Sequence, residues 1–280
     1  MTQTIDATKT QKAPPAVSYT LDSPELASTY EEVSVRQFEH GKVLIAALDI
    51  KPGERVLDVG CGTGRLGDYV ANLIAPNGEV RGVDPLPLRI DIAARKHPLF
   101  NARVGQAEDL SAFAASSFDV AYLNSVFHWV ADKPKALREL ARVLKPGGRL
   151  GVNSADADRA HQSAVLVRDA VLEEGLDHVA AASGFGTNFR VGGAELTRLL
   201  EQAGFQNVRV KGHTFVDTVA NVDDLIAWSR SSSFGNFLSD LTAEQLDKVR
   251  ARLSAKLEAL RTREGIKLER YLVFATATRP

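Results

Sequence analysis

The sequence contains only one cysteine, Cys61, among 280 residues. This scarcity excludes an intrachain disulfide and any metal site built from several cysteines, and it is typical of a reducing cytosol. An excess of charge of either sign is also lacking, because 34 Lys and Arg residues oppose 35 Asp and Glu residues. That balance gives no long-range attraction to nucleic acid or to an anionic membrane. We therefore expect a cytoplasmic protein without a nucleic-acid partner.

Long hydrophobic runs are missing as well. No stretch approaches the about 20 apolar residues that a membrane-spanning helix needs, so no membrane association is expected. The N-terminus is rich in Thr, Gln and Ala and lacks the apolar core of a secretory signal. Residues 1–22, with Pro14 and Pro15, are expected to form a poorly ordered arm. We assign residues 23–280 to one domain, since this length suits one large domain.

From residue 42 onwards, short apolar runs alternate with segments whose apolar residues have helical spacing. Five of the short runs read as strands: RVLDVG, GEVRGVD, ARVGQAED, FDVAYLNS and GRLGVNS. Strands that alternate with helices of this length predict an α/β fold with a doubly wound, mostly parallel sheet. Ligands of such sheets bind at the carboxyl ends of the strands.

The alternation breaks after Asn153. We expect a helix and a glycine-rich loop over 155–190, then a helix in GAELTRLLEQAG and a long strand in QNVRVKGHTFVDTV. Residues 221–262 read as helical, and ERYLVFATAT reads as the final strand. The last two strands bring the sheet to seven and are predicted neighbours, with the helical segment between them lying over the sheet. The segments 155–190 and 221–262 are the predicted substrate cap.

The loop GTGRLG, with Gly62, Gly64 and Gly67, matches the fingerprint G-x-G-x-x-G of dinucleotide-binding proteins. That fingerprint serves a pyrophosphate at a helix N-terminus, as in a nicotinamide-dependent oxidoreductase. Asp58, at the end of the preceding strand, would lie unfavourably close to a pyrophosphate. Its carboxylate suits a ligand with an ammonium and a sulfonium group, such as S-adenosylmethionine. Asp84, which closes the second strand, suits the hydroxyls of a ribose.

Five segments resemble, in order and spacing, the successive motifs of class I S-adenosylmethionine-dependent methyltransferases. They are VLDVGCGTG, GVDP, GQAEDL, FDVAYLNSVFHWV and LRELARVLKPGGRL, and the resemblance covers residues 28–153. The group that they resemble most includes the ubiquinone/menaquinone, trans-aconitate and juvenile hormone acid methyltransferases. The resemblance implies a Rossmann-like fold, S-adenosylmethionine as cofactor and S-adenosylhomocysteine as product.

The same resemblance implies a set of cofactor-binding residues. They are Asp58, Gly60, Cys61, Gly62, Gly64, Asp84, Pro85, Leu86, Gln106, Ala107, Glu108, Asn124 and Ser125. Asp58 would lie near the amine of the methionyl part, Asp84 would hold the ribose and Leu86 would pack on the adenine. Gln106 and Ala107 would contact the adenine edge. Within this set Cys61 is read as a packing residue and not as a nucleophile, because it has no basic partner in the motif.

His128 and Trp129 follow the fourth strand, so we expect them beside the methyl donor. His128 is the first candidate for a general base or for a hydrogen-bond donor to a substrate carboxylate; simple packing is the alternative. His40 and Tyr30, on the first helix with Arg36 and Gln37, are further catalytic candidates, because this helix covers the cofactor in similar proteins. His161 and His213 are read as ordinary surface or loop residues.

Trp129 is also a predicted substrate-binding residue, together with three aromatic residues of the insert DLIAWSRSSSFGNFL: Trp228, Phe234 and Phe237. Aromatic residues around a Ser-Gly turn suit a lid over a substrate, while a helix end that packs its own core is the alternative.

These residues predict methyl transfer to a small organic acceptor, with O-methylation favoured over C- or N-methylation. A hydroxyl, phenol or amine acceptor would need a general base, whereas a carboxylate would not. No metal-ligand cluster stands out, and a single cysteine disfavours arsenite methylation through several thiols. A nicotinamide-dependent oxidoreductase and a non-catalytic S-adenosylmethionine-binding protein are the alternatives from other classes.

Overall fold

The computed structural model describes residues 17–176, 178 and 189–280. The strands are β1 (Arg55–Val59), β2 (Glu79–Asp84), β3 (Asn101–Val104), β4 (Phe118–Asn124), β5 (Leu144–Ala155), β6 (Gln206–Val219), β7 (Arg261–Thr262) and β8 (Gly265–Thr278). The helices are α1 (Pro24–Val33), α2 (Val35–Leu48), α3 (Arg65–Ile74), α4 (Pro87–Lys96), α5 (Lys133–Val143), α6 (Gln162–Glu173), α7 (Gly193–Gln202), α8 (Val222–Ser232) and α9 (Ala243–Glu258). Short 3-10 turns cover Tyr19–Leu21 and Phe127–Trp129.

The strands form one sheet in the order β3-β2-β1-β4-β5-β8-β6, and the two-residue β7 pairs with β8. The first five strands pair in parallel, and β8 is antiparallel to both β5 and β6. The predicted mostly parallel seven-stranded sheet is therefore confirmed, with β7 as a short addition. The strand order reverses between β1 and β4, and such a switch point is where open α/β sheets bind ligands.

Helices cover both faces of the sheet because its strands are apolar on both faces. Leu57 and Val59 of β1 belong to a core with α5 and α7. Val56 points to the opposite face and packs in a second core with α2 and α3. This alternation within one strand explains why RVLDV reads as a continuous buried run.

A third core lies under the helices that follow the parallel strands. Strands β6 and β8 have 14 residues each, and Ile266 and Leu268 of β8 pack there with α6, α8 and α9. We call α6, α8, α9 and the segment 233–242 the cap. Helices α8 and α9 lie between β6 and β8 in the chain and pack on this core.

Two expectations need correction. Residues 17–22 belong to the packed structure and not to a disordered arm: Ser18 and Asn236 exchange two hydrogen bonds of 3.0 and 2.8 Å, and Asp22 lies 3.6 Å from Arg89. Residues 1–16 lie outside the described ranges, as does most of the glycine-rich loop. The helix expected over 221–262 is interrupted between α8 and α9, where Phe234 and Leu238 have positive φ angles of 43° and 51°. Within the ranges described, no helix is long and apolar enough to cross a membrane.

Candidate active site

A cavity of about 420 Å³ opens at the carboxyl ends of three neighbouring strands. Val59, Asp84 and Asn124, the last residues of β1, β2 and β4, all line it. The cavity extends from there to α1, α2 and the cap. It contains seventeen of the twenty site residues expected from the sequence; the exceptions are Asp58, Cys61 and Gly64.

The glycine loop after β1 approaches the cavity with its backbone. Gly60 has a φ of 80°, and a Cβ there would lie 2.2 Å from the Cγ2 of Val126. Gly62 has a φ of 55°, and a Cβ there would lie 3.2 Å from the ring of Tyr30. The N–H of Gly62 donates to the Oδ2 of Asp84 at 2.8 Å. Glycine is thus needed at both positions for backbone conformation and for space, which leaves room for a ligand against the loop.

Asp84 is the charged group at the centre of the cofactor side. Its carboxylate accepts backbone N–H groups of Gly62 at 2.8 Å and Leu86 at 3.0 Å, and the residue is 6% exposed. Burial raises its pKa, which the nearby Arg89 guanidinium partly offsets. Each oxygen can accept a further hydrogen bond. The carboxylate is therefore fixed in orientation and fits the two adjacent hydroxyls of a ribose.

The remaining cofactor residues continue from Asp84 along the wall of the cavity. Leu86, Gln106, Ala107 and Glu108 line it on one side, where an adenine would lie. At the other end Asn124 and Ser125 line it, and the Nδ2 of Asn124 donates to the backbone carbonyl of Gln37 at 3.1 Å. The set fits an adenosine joined to a short amino acid.

Asp58 does not line the cavity. It is 2% exposed and accepts a hydrogen bond from the Tyr122 hydroxyl at 2.7 Å. Burial raises the pKa of Asp58 to about 7, although this hydrogen bond lowers it. Cys61 is buried beside Gly82, and burial raises the pKa of its thiol well above the usual range. Gly64, with a φ of 88°, begins α3 behind the loop. These three residues lie behind the loop and support it. Their positions therefore favour a structural role over direct contact with a ligand.

His128 lines the cavity from the turn after β4, beside Trp129. Its Nδ1 lies 3.3 Å from the backbone nitrogen of Ala155 and 3.2 Å from the Oγ of Ser154. Because the Ala155 N–H can only donate, Nδ1 accepts and the neutral ring carries its proton on Nε2. Burial, together with nearby cationic side chains, lowers the pKa of His128 to about 3. At neutral pH His128 is thus a hydrogen-bond donor through Nε2, not a ready base.

His40 has a different surrounding. Its Nε2 lies 3.6 Å from the Oδ1 of Asp217, and its ring lies 4.1 Å from the ring of Phe215. Burial alone would raise the pKa of Asp217, but His40 and Arg270 outweigh it and hold that pKa below its usual range. Asp217 therefore remains ionised beside the imidazole, which lines the cavity. An acid that fixes a histidine in this way suits a general base.

Tyr30 lies at the glycine loop, and the guanidinium of Arg89 stacks 4.0 Å from the centre of its ring. Burial raises the pKa of Tyr30, so it remains a neutral phenol. Tyr30 and Arg89 both lie on the cofactor side of the cavity. The sequence reasoning did not identify Arg89. Arg89 follows a strand and a Leu-Pro pair without any motif that would have singled it out.

The aromatic residues of the insert lie where a lid would be. The Phe234 ring packs 4.9 Å from that of Trp129 and 5.5 Å from that of Tyr19. Trp228 donates from Nε1 to the Oε1 of Gln37 at 3.3 Å. Trp228 and Phe237 also pack against the core of the cap. Both readings of the insert thus describe part of it, since these side chains line the cavity and join the cap core.

Besides Arg89, three further cavity residues were missed or misread. His161 is 7% exposed and lines the cavity, so it is not a surface residue. Its Nδ1 accepts the backbone N–H of Tyr271 at 3.1 Å, and burial lowers its pKa to about 2. Arg190 and Arg270 also line the cavity. His213, half-buried, lies within β6 beside Phe274 rather than in a loop.

A signal for Arg270 was present in the sequence. In ERYLVFATAT, residues 270, 272 and 274 alternate onto one face, and Leu272 and Phe274 are buried there. A charged residue in register with two buried apolar ones marks a buried charge. His161 and Arg190 lie in irregular segments and carried no such signal.

Comparison with known proteins identifies the central segment. Residues 57–152 match a family described as a methyltransferase domain. An arsenite methyltransferase of Aquipseudomonas alcaligenes is 35% identical over 182 residues, covering 58% of this chain and 52% of that protein. A demethylmenaquinone methyltransferase of Symbiobacterium thermophilum is 37% identical over 111 residues, covering 38% of this chain and 44% of that protein. The chain thus spans about half the length of these curated relatives.

Among solved structures, phosphoethanolamine N-methyltransferase 2 of Haemonchus contortus, in complex with S-adenosylmethionine, has a TM-score of 0.59. It is 16% identical and covers 92% of this chain and 57% of that one, which indicates a shared fold. Together with the glycine loop and Asp84, these similarities favour S-adenosylmethionine over a nicotinamide cofactor. Residues 57–152 thus resemble a methyltransferase domain, and the chain shares its fold with a methyltransferase solved in complex with S-adenosylmethionine.

Proposed function

We propose that this protein transfers the methyl group of S-adenosylmethionine to an oxygen atom of a small organic acceptor. The observation that carries the proposal is the composition of one cavity. Its cofactor side holds Asp84 and the glycine loop, and its opposite side holds His40 and His128 under the cap. A protein that only binds the cofactor would not need a second compartment lined by imidazoles.

The cofactor supplies an activated methyl group, so the chain needs no nucleophile of its own. Its residues position the two reactants and exclude water. Orienting an acceptor in line with a donor contributes about 7–11 kcal/mol to lowering the barrier. The rings of Trp129 and Phe234, 4.9 Å apart, line the cavity together with that of Tyr19, which lies 5.5 Å from Phe234. These aromatic residues are the proposed barrier to water and a wall for the acceptor.

The two imidazoles have complementary roles in this proposal. Asp217 holds His40 through Nε2, which leaves Nδ1 able to take a proton from an acceptor hydroxyl. His128 offers the Nε2 proton, because its Nδ1 accepts from the Ala155 N–H. A donor and an acceptor of this kind suit an oxygen nucleophile that is being deprotonated.

Other acceptors fit the cavity less well. An amine that is protonated in solution would meet Arg190 and Arg270 on the acceptor side, so N-methylation is disfavoured. Arsenite, the substrate named for one relative, would call for soft thiolate ligands. Cys61 is the only cysteine in the sequence, is buried and does not line the cavity.

The experiment is a methyl-transfer assay with labelled S-adenosylmethionine over a panel of small hydroxyl, phenol, carboxyl and amine compounds. We expect label in oxygen-linked products. We also expect S-adenosylhomocysteine, and not NADH, to raise the melting temperature, because a ligand stabilises the state that binds it. Label found only in N- or C-linked products, or stabilisation by NADH alone, would contradict the proposal.

His40→Gln and His128→Gln then separate the two roles. With a hydroxyl acceptor, His40→Gln should lower kcat by about 10²–10⁴-fold and remove the acidic limb of the pH–rate profile, which is the signature of a lost base. His128→Gln should retain that limb and raise KM for the acceptor, because a neutral donor does not titrate near pH 7. A limb that disappears with His128 instead would reverse the assignment.

A further inference from the structure

The side of the cavity away from the cofactor is strongly cationic. Among the described residues that line the cavity there are five arginines, of which Arg89 lies on the cofactor side, and two carboxylates. The two carboxylates, Asp84 and Glu108, both belong to the cofactor side. The acceptor side includes Arg190 and Arg270, which lowers the electrostatic cost of placing an anion there.

Arg270 is the best-defined of these cations. It extends from β8 with its side chain 11% exposed, and its guanidinium lies 4.2 Å from the centre of the Trp228 ring. Its Nε donates to the Oδ2 of Asp217 at 2.5 Å. Arg270 lines the cavity, and within the described part of the chain its Nη1 and Nη2 have no hydrogen-bond acceptor, so two N–H-bearing groups remain available. A guanidinium with a free edge is suited to bidentate contact with a planar oxyanion.

The groups around Arg270 are also donors. The backbone N–H groups of Ala155 and Tyr271 occupy the Nδ1 atoms of His128 and His161, so each neutral ring carries its proton on Nε2. Arg190 adds a second guanidinium, and after burial the positive charges of Arg190 and Arg270 contribute to lowering the pKa of each histidine. The adjacent acid, Asp217, is already shared between His40 and Arg270.

Among the described residues, the guanidinium and imidazole groups of this compartment all offer donors, and they are matched by a ligand that brings lone pairs and negative charge. A buried guanidinium also carries a desolvation penalty that a matching anion offsets. We propose that the methyl acceptor is an organic carboxylate, anchored through its carboxylate group to Arg270 with Arg190, His128 and His161 as additional donors. This inference rests on the proposed function, since it names the substrate class of the same cavity.

The test measures binding to the complex with S-adenosylhomocysteine, so that the cofactor's own carboxylate is already in place. Acetate, hexanoate, benzoate and octanoate are each compared by NMR titration with the corresponding primary amide. Acetate and acetamide, the smallest pair, are small enough to enter the cavity whatever its shape. We expect at least one acid to bind more tightly than its amide.

Variants of Arg270 test whether this residue causes the preference for the acid over its amide. Arg270→Gln should weaken binding of the acid by about 10- to 100-fold and remove its advantage over the amide, while leaving the affinity for S-adenosylhomocysteine unchanged. Arg270→Lys should retain part of the advantage, because it keeps the charge but not the planar fork. Arg198→Gln, on the exposed surface of α7, is the matched control and should behave as the wild type. If Arg270→Gln does not fold, Arg270→Lys and Arg190→Gln carry the same comparison.

Several results would overturn the inference. One is the absence of any acid that exceeds its amide, and another is a preference that survives Arg270→Gln. Weaker binding of S-adenosylhomocysteine by Arg270→Gln would show that Arg270 holds the cofactor's carboxylate instead. Tighter binding of phenylphosphonate than of benzoate would move the site to phosphoryl compounds. Failure of the proposed function is separate, because it would appear as loss of cofactor binding or of methyl transfer in the wild type.

Discussion

Replacing Asp84 should separate the two tasks that the structure gives to one carboxylate. On its ligand side the carboxylate is expected to accept two ribose hydroxyls. Hydrogen bonds to a charged group contribute about 1.5–3 kcal/mol each, so their combined loss is about 3–6 kcal/mol. Asp84→Ala should therefore raise the dissociation constant for S-adenosylhomocysteine by about 10²–10⁴-fold.

The protein side of Asp84 adds a second effect. The N–H groups of Gly62 and Leu86 donate to the two carboxylate oxygens, and alanine would leave both donors without this acceptor. A buried donor without a partner costs about 1–3 kcal/mol, so the free energy of unfolding should fall by about 2–6 kcal/mol. That loss is a large fraction of the roughly 5–15 kcal/mol that stabilises a typical domain. Asp84→Asn keeps one carbonyl oxygen as an acceptor and should unfold less readily than Asp84→Ala.

The assay combines calorimetric titration of S-adenosylhomocysteine with urea denaturation of each variant. Affinity is measured only under conditions in which circular dichroism shows the variant to be folded. Asp91→Asn, on the exposed face of α4, is the matched control and should change neither quantity. An unchanged dissociation constant for folded Asp84→Asn and Asp84→Ala would refute the ribose assignment. An unchanged free energy of unfolding would refute the role of the carboxylate in holding the loop.

Two further substitutions test the glycine loop and the strand behind it. Gly60→Ala should abolish S-adenosylhomocysteine binding and lower the melting temperature more than Gly147→Ala. Both glycines have a positive φ, but only a Cβ at Gly60 would meet a side chain, that of Val126 at 2.2 Å. Recovery of binding on adding Val126→Ala would support the clash, and equal effects of the two glycine variants would contradict it. Tyr122→Phe removes the hydroxyl that lowers the pKa of Asp58, so that pKa should rise above its value of about 7. The folded pKa already exceeds the unfolded one, so the stability contributed by Asp58 is present at low pH and lost as the pH rises. The deficit of Tyr122→Phe in urea denaturation should therefore grow as the pH rises through about 7, where Asp58 ionises in the folded wild type but not in the variant. A deficit independent of pH would show that Asp58 does not titrate in that range.

The parallel half of the fold could be predicted from the sequence because each of its elements has a local signature. The run RVLDVG is apolar on both faces, as a central strand requires, and the glycine loop follows it directly. Asp84 could be located because it ends a strand, and strand ends meet at the ligand crevice. These inferences need only periodicity and the geometry of parallel sheets.

The acceptor side could not be derived in the same way, because it is assembled from residues that are distant in the chain. His40 faces Asp217, and Arg270 faces Trp228, through tertiary contacts that no local pattern encodes. Which ring nitrogen of His128 carries the proton depends on the backbone N–H of Ala155, at the end of β5. A general base and a hydrogen-bond donor look alike in a sequence, since both are written as histidine. Only the direction of the neighbouring N–H groups distinguishes them.

The central place of β8 between β5 and β6 has a consequence for folding during synthesis of the chain. The ribosome releases β5 first, then β6 and finally β8, yet β8 lies between the other two. Until residues 265–278 have emerged, no strand connects β6 to the parallel strands. During that time β5 exposes an unpaired edge that other chains could join. The acceptor compartment is completed at the same moment, because Arg270 arrives on that strand. A premature stop before residue 265 would therefore remove the pairing that unites the two parts of the sheet, together with one wall of the active site.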